Sequence, residues 1–268
     1  MNINGCKMKR TKIFIDPMSF PEQLREILSK ATVYDSSCSP EARVYFLDID
    51  GGMYLKTSKK GTLEREALMT DYYHSKGLGA CVLSYLSLDD DWLLTERVPG
   101  EDCTHSDYLS DPGRLCNLLG ERLRLLHDID PSGCPVADHT SAYIALAESN
   151  YKNGVYDSAL FPDNWGYRSA EDAWKTLQAG KTMLKPDTLI HGDYCLPNIM
   201  LKSWNFSGFI DLGNGGVGDR HVDLFWGAWT LFFNLKTDEY RNRFFDAYGR
   251  DKIDQDMLNV IAAAEVFG

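Results

Sequence analysis

The sequence predicts an α+β chain in two lobes: a small N-terminal lobe, 1–97, built on antiparallel sheet, and a larger, mainly helical C-terminal lobe, 98–268. Three stretches carry that expectation. Residues 43–57 read as two strand-like runs, RVYFLDI and MYLKT, on either side of Asp50-Gly51, a strong hairpin signal. Beyond Gly100 the punctuation and periodicity become helical. The third stretch, 191–213 (HGDYCLPNIMLKSWNFSGFIDLG), has two short apolar runs, 199–201 and 208–210, each preceded by an acidic or amide-bearing turn. Such turns put carboxylates and amides at strand ends.

Composition narrows the class. A chain of 268 residues with 44% hydrophobic and 25% charged content is ordinary for a soluble globular protein. No apolar run approaches the roughly 18 residues that a membrane span requires. Residues 1–16 carry a few basic side chains but no apolar segment after them, so a secretory signal is not expected and a cytoplasmic location is. The seven cysteines are odd in number and form no C-x-x-C pair, which points to neither a zinc site nor a disulfide framework. A net charge of −11 argues against nucleic acid and fits a cationic small-molecule partner, though it serves solubility equally well.

Taken in order, residues 19–22 (SFPE) read as a capping box that opens a helix to about Lys30, with Leu24, Ile27 and Leu28 on one face. The hairpin follows, with Lys56 on its second strand. Residues 62–75 form a helix that puts Leu63, Glu66, Ala67 and Thr70 on one side. An inward carboxylate needs a cation, and Lys56 is the natural partner of Glu66; Glu64, on another face, is the competitor. Two strands, CVLSYL and WLLTE, lead into 96–100 (ERVPG), where strand character stops at a Pro-Gly turn, read as the hinge between the lobes at about 95–100. A helix then runs from Asp111-Pro112 to His127 on a leucine stripe, and two more are expected at 137–151 and 169–180. After the 191–213 stretch, the residues from His221 are so densely apolar that their helix must be largely buried, with Asp223 at its start tying it to the preceding loop. A last helix covers 255–267.

Asp193, Asn198 and Asp211 offer three oxygen donors in one hairpin-sized unit, a set that suits Mg²⁺, a hard cation that leaves room for phosphate oxygens. The order H-x-D-x-x-x-x-N, strand, turn, strand, Asp-x-Gly is that of a kinase catalytic loop and metal loop. Cys195 lies inside this loop, but no motif around it supplies a base that would make it a nucleophile.

On HGDYCLPNIM and SGFIDLG, and more weakly from Ser39-Pro40 through Lys56 and Glu66 to the C-terminal EVF, the chain resembles the aminoglycoside phosphotransferases, which have the protein-kinase-like fold, and most of all their 3′-phosphotransferase branch. The resemblance implies a nucleoside triphosphate donor, ATP or GTP, with Mg²⁺ on Asn198 and Asp211. Asp193 would act as base, Lys56 would sit on the phosphates and Glu66 would orient it. A covering loop at 35–40 would include Ser39, and backbone groups near Glu96 and Val98 would meet the base edge. His191 is read as a loop anchor.

For the acceptor, the resemblance implies carboxylates lining a pocket for ammonium groups. Here the helix after the metal loop has no acid between Asp223 and Asp238, and Asn214 stands where relatives carry a charge. Glu265 is left as the main ammonium contact, with Phe267, Trp226, Trp229 and Phe233 shaping a less polar wall, unless Asp157, Asp163, Asp172 or Asp238 substitutes. Three functions follow: an aminoglycoside kinase, a kinase of another small hydroxylated or amino-alcohol molecule, and a nucleotide-binding pseudokinase. A monomer with no nucleic-acid or membrane partner is expected.

Overall fold

The computed structural model describes residues 10–157 and 167–268, so Asp163 and most of the turn-rich 161–167 stretch lie outside the described residues. The chain forms two compact units. One runs up to residue 102 and returns for 199–213; the other takes 103–198 and 214–268. The expected division at 97/98 places the 199–213 hairpin with the helices, and the chain instead sends it back to the unit that bears the sheet.

The first unit is organised on a six-stranded antiparallel sheet of order β1-β2-β3-β4-β6-β5. Its strands are β1 (Thr11–Lys12), β2 (Thr32–Asp35), β3 (Arg43–Asp48), β4 (Met53–Lys59), β5 (Val82–Ser87) and β6 (Asp90–Glu96). The Asp-Gly turn between β3 and β4 is made as expected, with Asp50 at φ 49° and Gly51 at φ 90°. Lys56 lies opposite Val44 on one side and Leu93 on the other, which puts it in the middle of the sheet. Helix α1 (Glu22–Lys30) buries Leu24 and Leu28 on one face, against Val33, Tyr45, Leu47, Leu55 and Leu94. Because side chains alternate along a strand, Leu55 facing this core turns Tyr54 and Lys56 to the other face.

The capping box is not formed. Ser19 donates its hydroxyl to the Asp16 carbonyl at 2.7 Å, in a 3₁₀ turn, and Pro21 precedes the helix without a side-chain cap. Pro17 accounts for the difference, since its fixed φ starts a separate turn before the helix begins. Helix α2 (Glu64–Ser75) is anchored instead by the fully buried Asp91, whose carboxylate accepts the Leu63 N–H at 2.9 Å.

Strand β7 (Glu101–Asp102) pairs with β9 (Ile199–Lys202), which pairs in turn with β10 (Asn205–Phe209). The Phe209 N–H donates to the Leu78 carbonyl at 2.7 Å, and this bond draws the hairpin into the sheet-bearing unit.

The second unit holds α3 (Ser106–Leu109), α4 (Pro112–His127), α5 (His139–Lys152), α6 (Ala170–Gly180), α7 (His221–Leu235), α8 (Arg241–Tyr248) and α9 (Gln255–Glu265). A two-stranded ribbon, β8 (Thr188–Ile190) with β11 (Gly216–Gly218), completes it. The four helices expected from leucine and caps at 111–127, 137–151, 169–180 and 255–267 are present within two residues at each end. Asp111 caps α4 by accepting the Arg114 N–H at 3.1 Å. Residues 221–231 of α7 are all buried. Among the described residues no helix is long and apolar enough to cross a membrane.

Helix α8, which no sequence motif announces, seats on α4 at Gly120. A Cβ there would stand 2.5 Å from the Phe244 carbonyl oxygen and 2.7 Å from the Ala247 Cβ. Gly120→Val is therefore expected to lower the unfolding free energy by about 2–3 kcal/mol through overpacking. A urea unfolding curve checks this, and an unchanged midpoint would contradict the close approach.

Candidate active site

The catalytic-loop residues 191–198 leave β8 and end in a 3₁₀ turn, Leu196–Asn198, before β9. The loop is held from beneath by Asp223 in the first turn of α7, fully buried. Its Oδ2 accepts the His191 N–H at 2.8 Å and its Oδ1 accepts the Gly192 N–H at 2.8 Å. His127 closes the set, with Nε2 3.1 Å from Asp223 Oδ2 and Nδ1 2.8 Å from the Tyr248 hydroxyl. The carboxylate can only accept, so Nε2 carries the proton and Nδ1 takes the Tyr248 hydroxyl hydrogen. Burial pulls the His127 pKa down against the pull of Asp223. Gly192 has φ 80°, and a Cβ there would meet the Asn214 carbonyl oxygen at 2.0 Å, so only glycine fits.

Above this anchor, Asn198 Nδ2 donates to Asp193 Oδ2 at 2.9 Å and to the Asp193 carbonyl at 3.0 Å. The amide nitrogen thus fixes the Asp193 carboxylate, and the amide oxygen is turned away from it. His191 accepts the Asp193 N–H on Nδ1 at 3.3 Å, the anchor role read from the sequence. Thr230 Oγ1 accepts the Leu196 N–H at 3.2 Å. Burial above all, with Asp193 beside it, pushes the Cys195 thiol well above its ordinary pKa, which leaves it protonated and a poor nucleophile.

The sheet-bearing unit supplies a second cluster. Lys56 Nζ donates to Glu66 Oε2 at 2.7 Å and to Asp211 Oδ1 at 3.0 Å. Burial pulls the ammonium pKa down, but Asp211 and Glu66 together outweigh it and hold it above that of an ordinary lysine. Burial raises the Glu66 pKa, with Lys56 opposing it. Glu66, and not Glu64, is the partner. Asp211 is about half exposed and adopts a left-handed backbone at φ 58°, uncommon for a residue with a side chain and concentrated at functional sites. Asp211 offers a carboxylate oxygen in the sheet-bearing unit and Asn198 an amide oxygen in the helical one, each a kind of donor that a hard cation prefers.

The remaining expected residues are less uniform. Ser39 is exposed in the 35–40 loop beside Glu41, and the loop is folded by Asp35 accepting the Ser37 N–H at 2.9 Å. The Glu96 N–H already donates to the Cys81 carbonyl at 3.0 Å, and the Val98 side chain is buried. Asn214 is exposed, and Trp229 stacks on Phe233 with centroids 5.0 Å apart. Phe267, expected against the acceptor, is instead 1% exposed, its ring set edge-on to Tyr151 and Trp174 and its carbonyl accepting from Asn150 Nδ2 at 2.7 Å. An apolar ring at a chain end simply found the nearest aromatic core. Of the alternative acids, Asp238 pairs with Arg241 at 2.7 Å and Asp172 is exposed in the first turn of α6.

Glu265 is also buried, 5% exposed, with Oε1 accepting the Tyr143 hydroxyl at 2.7 Å and Trp226 Nε1 at 3.0 Å. Burial raises its pKa to about 7, against the lowering by Tyr143 and Trp226, and the nearby Asp193 charge adds to the rise. Tyr143, Thr230, Asp91 and Tyr248 carry no motif, and sequence reasoning missed them.

The family model described as "Phosphotransferase enzyme family" matches residues 40–258. The chain belongs to that family. It is 50% identical to the probable aminoglycoside 3′-phosphotransferase of Lactococcus lactis over 263 residues, covering 97% of this chain and 99% of that one. It is 28% identical to an aminoglycoside 3′-phosphotransferase of Enterococcus faecalis, over 87% of this chain and 92% of that one. Among solved structures, an aminoglycoside 3′-phosphotransferase of type VIII matches with TM-score 0.73 at 20% identity, over 92% of this chain and 100% of that one. The protein-kinase-like fold of this phosphotransferase is thereby shown.

The Glu265 environment sets a pH dependence. A carboxyl whose folded pKa lies above its unfolded value stabilises the fold fully below the unfolded value, and that contribution is lost as pH rises through the folded one. Between about pH 4.5 and 7 the native protein should therefore lose stability relative to Glu265→Gln, by about 3 kcal/mol at most. Chemical unfolding of both proteins at pH 5 and 8 measures the difference. A gap that does not change with pH would show that Glu265 is charged throughout.

Proposed function

We propose that this phosphotransferase moves the γ-phosphate of ATP or GTP to a hydroxyl of an aminoglycoside, with Asp193 taking the hydroxyl proton. The observation that carries the reading is the double contact of Asn198 Nδ2 with Asp193. It fixes the carboxylate for a proton-accepting role and leaves an amide oxygen for a cation. Mg²⁺ on Asn198 and Asp211 would neutralise charge on the phosphate oxygens. Lys56, held charged by Glu66 and Asp211, binds phosphate as a point cation. Phosphoryl transfer needs placement more than covalent help. As the new P–O bond forms and the bond to the leaving diphosphate breaks, the acceptor proton passes to Asp193, and Asn198 keeps that carboxylate aimed.

The aminoglycoside acceptor is supported by the name of the lactococcal relative and by the acidic chain. A cation brought to Glu265 would favour its charged form. One observation favours the second reading, a small amino-alcohol acceptor. The face of α7 carries Trp226, Trp229 and Phe233 where acids would serve several ammonium groups, and Glu265 is only partly ionised near neutrality. The intact set of Lys56, Asp193, Asn198 and Asp211 counts against a pseudokinase.

Asp193→Asn should lower kcat by about 10²- to 10⁴-fold with nucleotide Kd changed little, the range for loss of a general base. Steady-state kinetics with calorimetry for ADP decides it. Turnover within a few-fold of wild type would remove Asp193 from the proton step. Asp211→Ala should abolish the tightening of ADP binding by Mg²⁺, because the lost group is a metal ligand. If Mg²⁺ still tightens binding as in wild type, the cation is held elsewhere.

A further inference from the structure

Helix α7 carries a row of aromatic side chains that ends in a cation. Trp226, Trp229, Phe233 and Lys236 follow at spacings of three, four and three residues, which puts them on one face of the helix. The row begins beside the catalytic loop: Trp226 Nε1 donates to Glu265 Oε1 at 3.0 Å, Glu265 feels the charge of Asp193, and Thr230 of the same helix accepts the Leu196 N–H. Trp229 stands edge-on to Trp226, with centroids 5.5 Å apart, and stacks on Phe233 at 5.0 Å. Lys236 Nζ lies over the Phe233 ring, 4.2 Å from its centroid. Trp229 is one turn before Phe233 and Lys236 one turn after, so both faces of the ring are taken. Lys236 is exposed, and among the described residues it pairs with no carboxylate; Asp238, two residues on, is held by Arg241 at 2.7 Å.

We propose that Lys236 is a specificity-determining residue, one that turns away acceptors carrying a second ammonium group beyond the one that Glu265 receives. The inference rests on the acceptor reading above, in which a cationic acceptor brings its hydroxyl to Asp193 and an ammonium to Glu265. An aromatic face is the one attraction that an apolar wall offers an ammonium. Over Phe233 the protein's own ammonium already occupies that face, and α7 has no acid between Asp223 and Asp238 to neutralise it. A second ammonium that approaches along the row therefore meets a like charge and a filled ring face, whereas a hydroxyl or methylene meets only ring edges. A helix C-terminus favours a cation in any protein, which accounts for a lysine in the last turn. It does not account for a lysine at φ 58°, where glycine or asparagine is less strained, nor for an ammonium folded onto a ring instead of standing in water.

The test measures acceptor affinity by calorimetry for wild type, Lys236→Gly and Lys236→Arg. The ligands are a kanamycin-type aminoglycoside and its derivatives acetylated on every amine but one, at low and at raised salt. Glycine suits the left-handed position, so the fold is kept, and ADP affinity serves as the check. Lys236→Gly should bind the intact aminoglycoside about three- to tenfold more tightly than wild type at low salt and the single-ammonium derivatives within about twofold, the pattern of one like-charge contact removed near a surface. The gain should fade as salt is added. Lys236→Arg should match wild type, because a guanidinium keeps the charge over the ring. Equal affinity for the intact aminoglycoside in wild type and Lys236→Gly overturns the proposal, as does an equal gain for the single-ammonium derivatives or a Lys236→Arg that behaves as the glycine variant. A wild type that binds none of these ligands overturns the acceptor reading itself, and that outcome is seen without any variant.

Discussion

A buried carboxylate must be satisfied on all sides or it unfolds what surrounds it, and Asp223 is the carboxylate on which the helical unit depends. It accepts two main-chain N–H groups of the catalytic loop, from His191 and Gly192, and the proton of His127 on α4, so one side chain joins the loop to two helices. The loop cannot relax without orphaning a buried charge, a change that costs several kcal/mol. Tyr248 carries the constraint outward to α8 by donating its hydroxyl hydrogen to the His127 nitrogen that Asp223 leaves unprotonated. Asp193 is therefore held at its main chain by a network and at its side chain by Asn198.

The sheet-bearing unit solves the opposite problem, which is to keep a cation charged while it is largely enclosed. Lys56 is held by two carboxylates, and their charges outweigh the loss of water around its ammonium. Glu66 is the fixed partner, on a helix anchored by Asp91. Asp211 is the exposed one, in a left-handed conformation that its neighbours must maintain. A charged lysine and an exposed carboxylate beside it are what a phosphate and a divalent cation require.

Much of this was legible in the sequence because it rests on local rules. Asp-Gly fixed the hairpin that centres Lys56, helical spacing turned Glu66 inward, and the dense apolar run of α7 announced a buried helix with Asp223 at its start. What failed to show depends on contacts distant in sequence. Tyr143 and Trp226 meet Glu265 across 122 and 39 residues, and nothing local marks them. Ser19 satisfied the letter of a capping box, but Pro17 had already committed that segment to another turn. Phe267 was expected at the acceptor from the resemblance of the EVF stretch, and it is core because Tyr151 and Trp174 offer it aromatic edges. The hairpin at 199–213 follows the catalytic loop without a break, so only distant contacts, β9 with β7 and the Phe209 N–H with the Leu78 carbonyl, assign it to the sheet-bearing unit.

The proposed reaction passes a phosphoryl group to a hydroxyl under the control of Asp193. The most direct measurement incubates the protein with γ-labelled ATP, Mg²⁺ and a kanamycin-type aminoglycoside, in parallel with an analogue lacking the acceptor hydroxyl, and follows the products by mass. That reaction puts one labelled phosphoryl group on the aminoglycoside, none on the analogue, and none with Asp193→Asn. Label released only as inorganic phosphate, or transferred equally by wild type and Asp193→Asn, would contradict it.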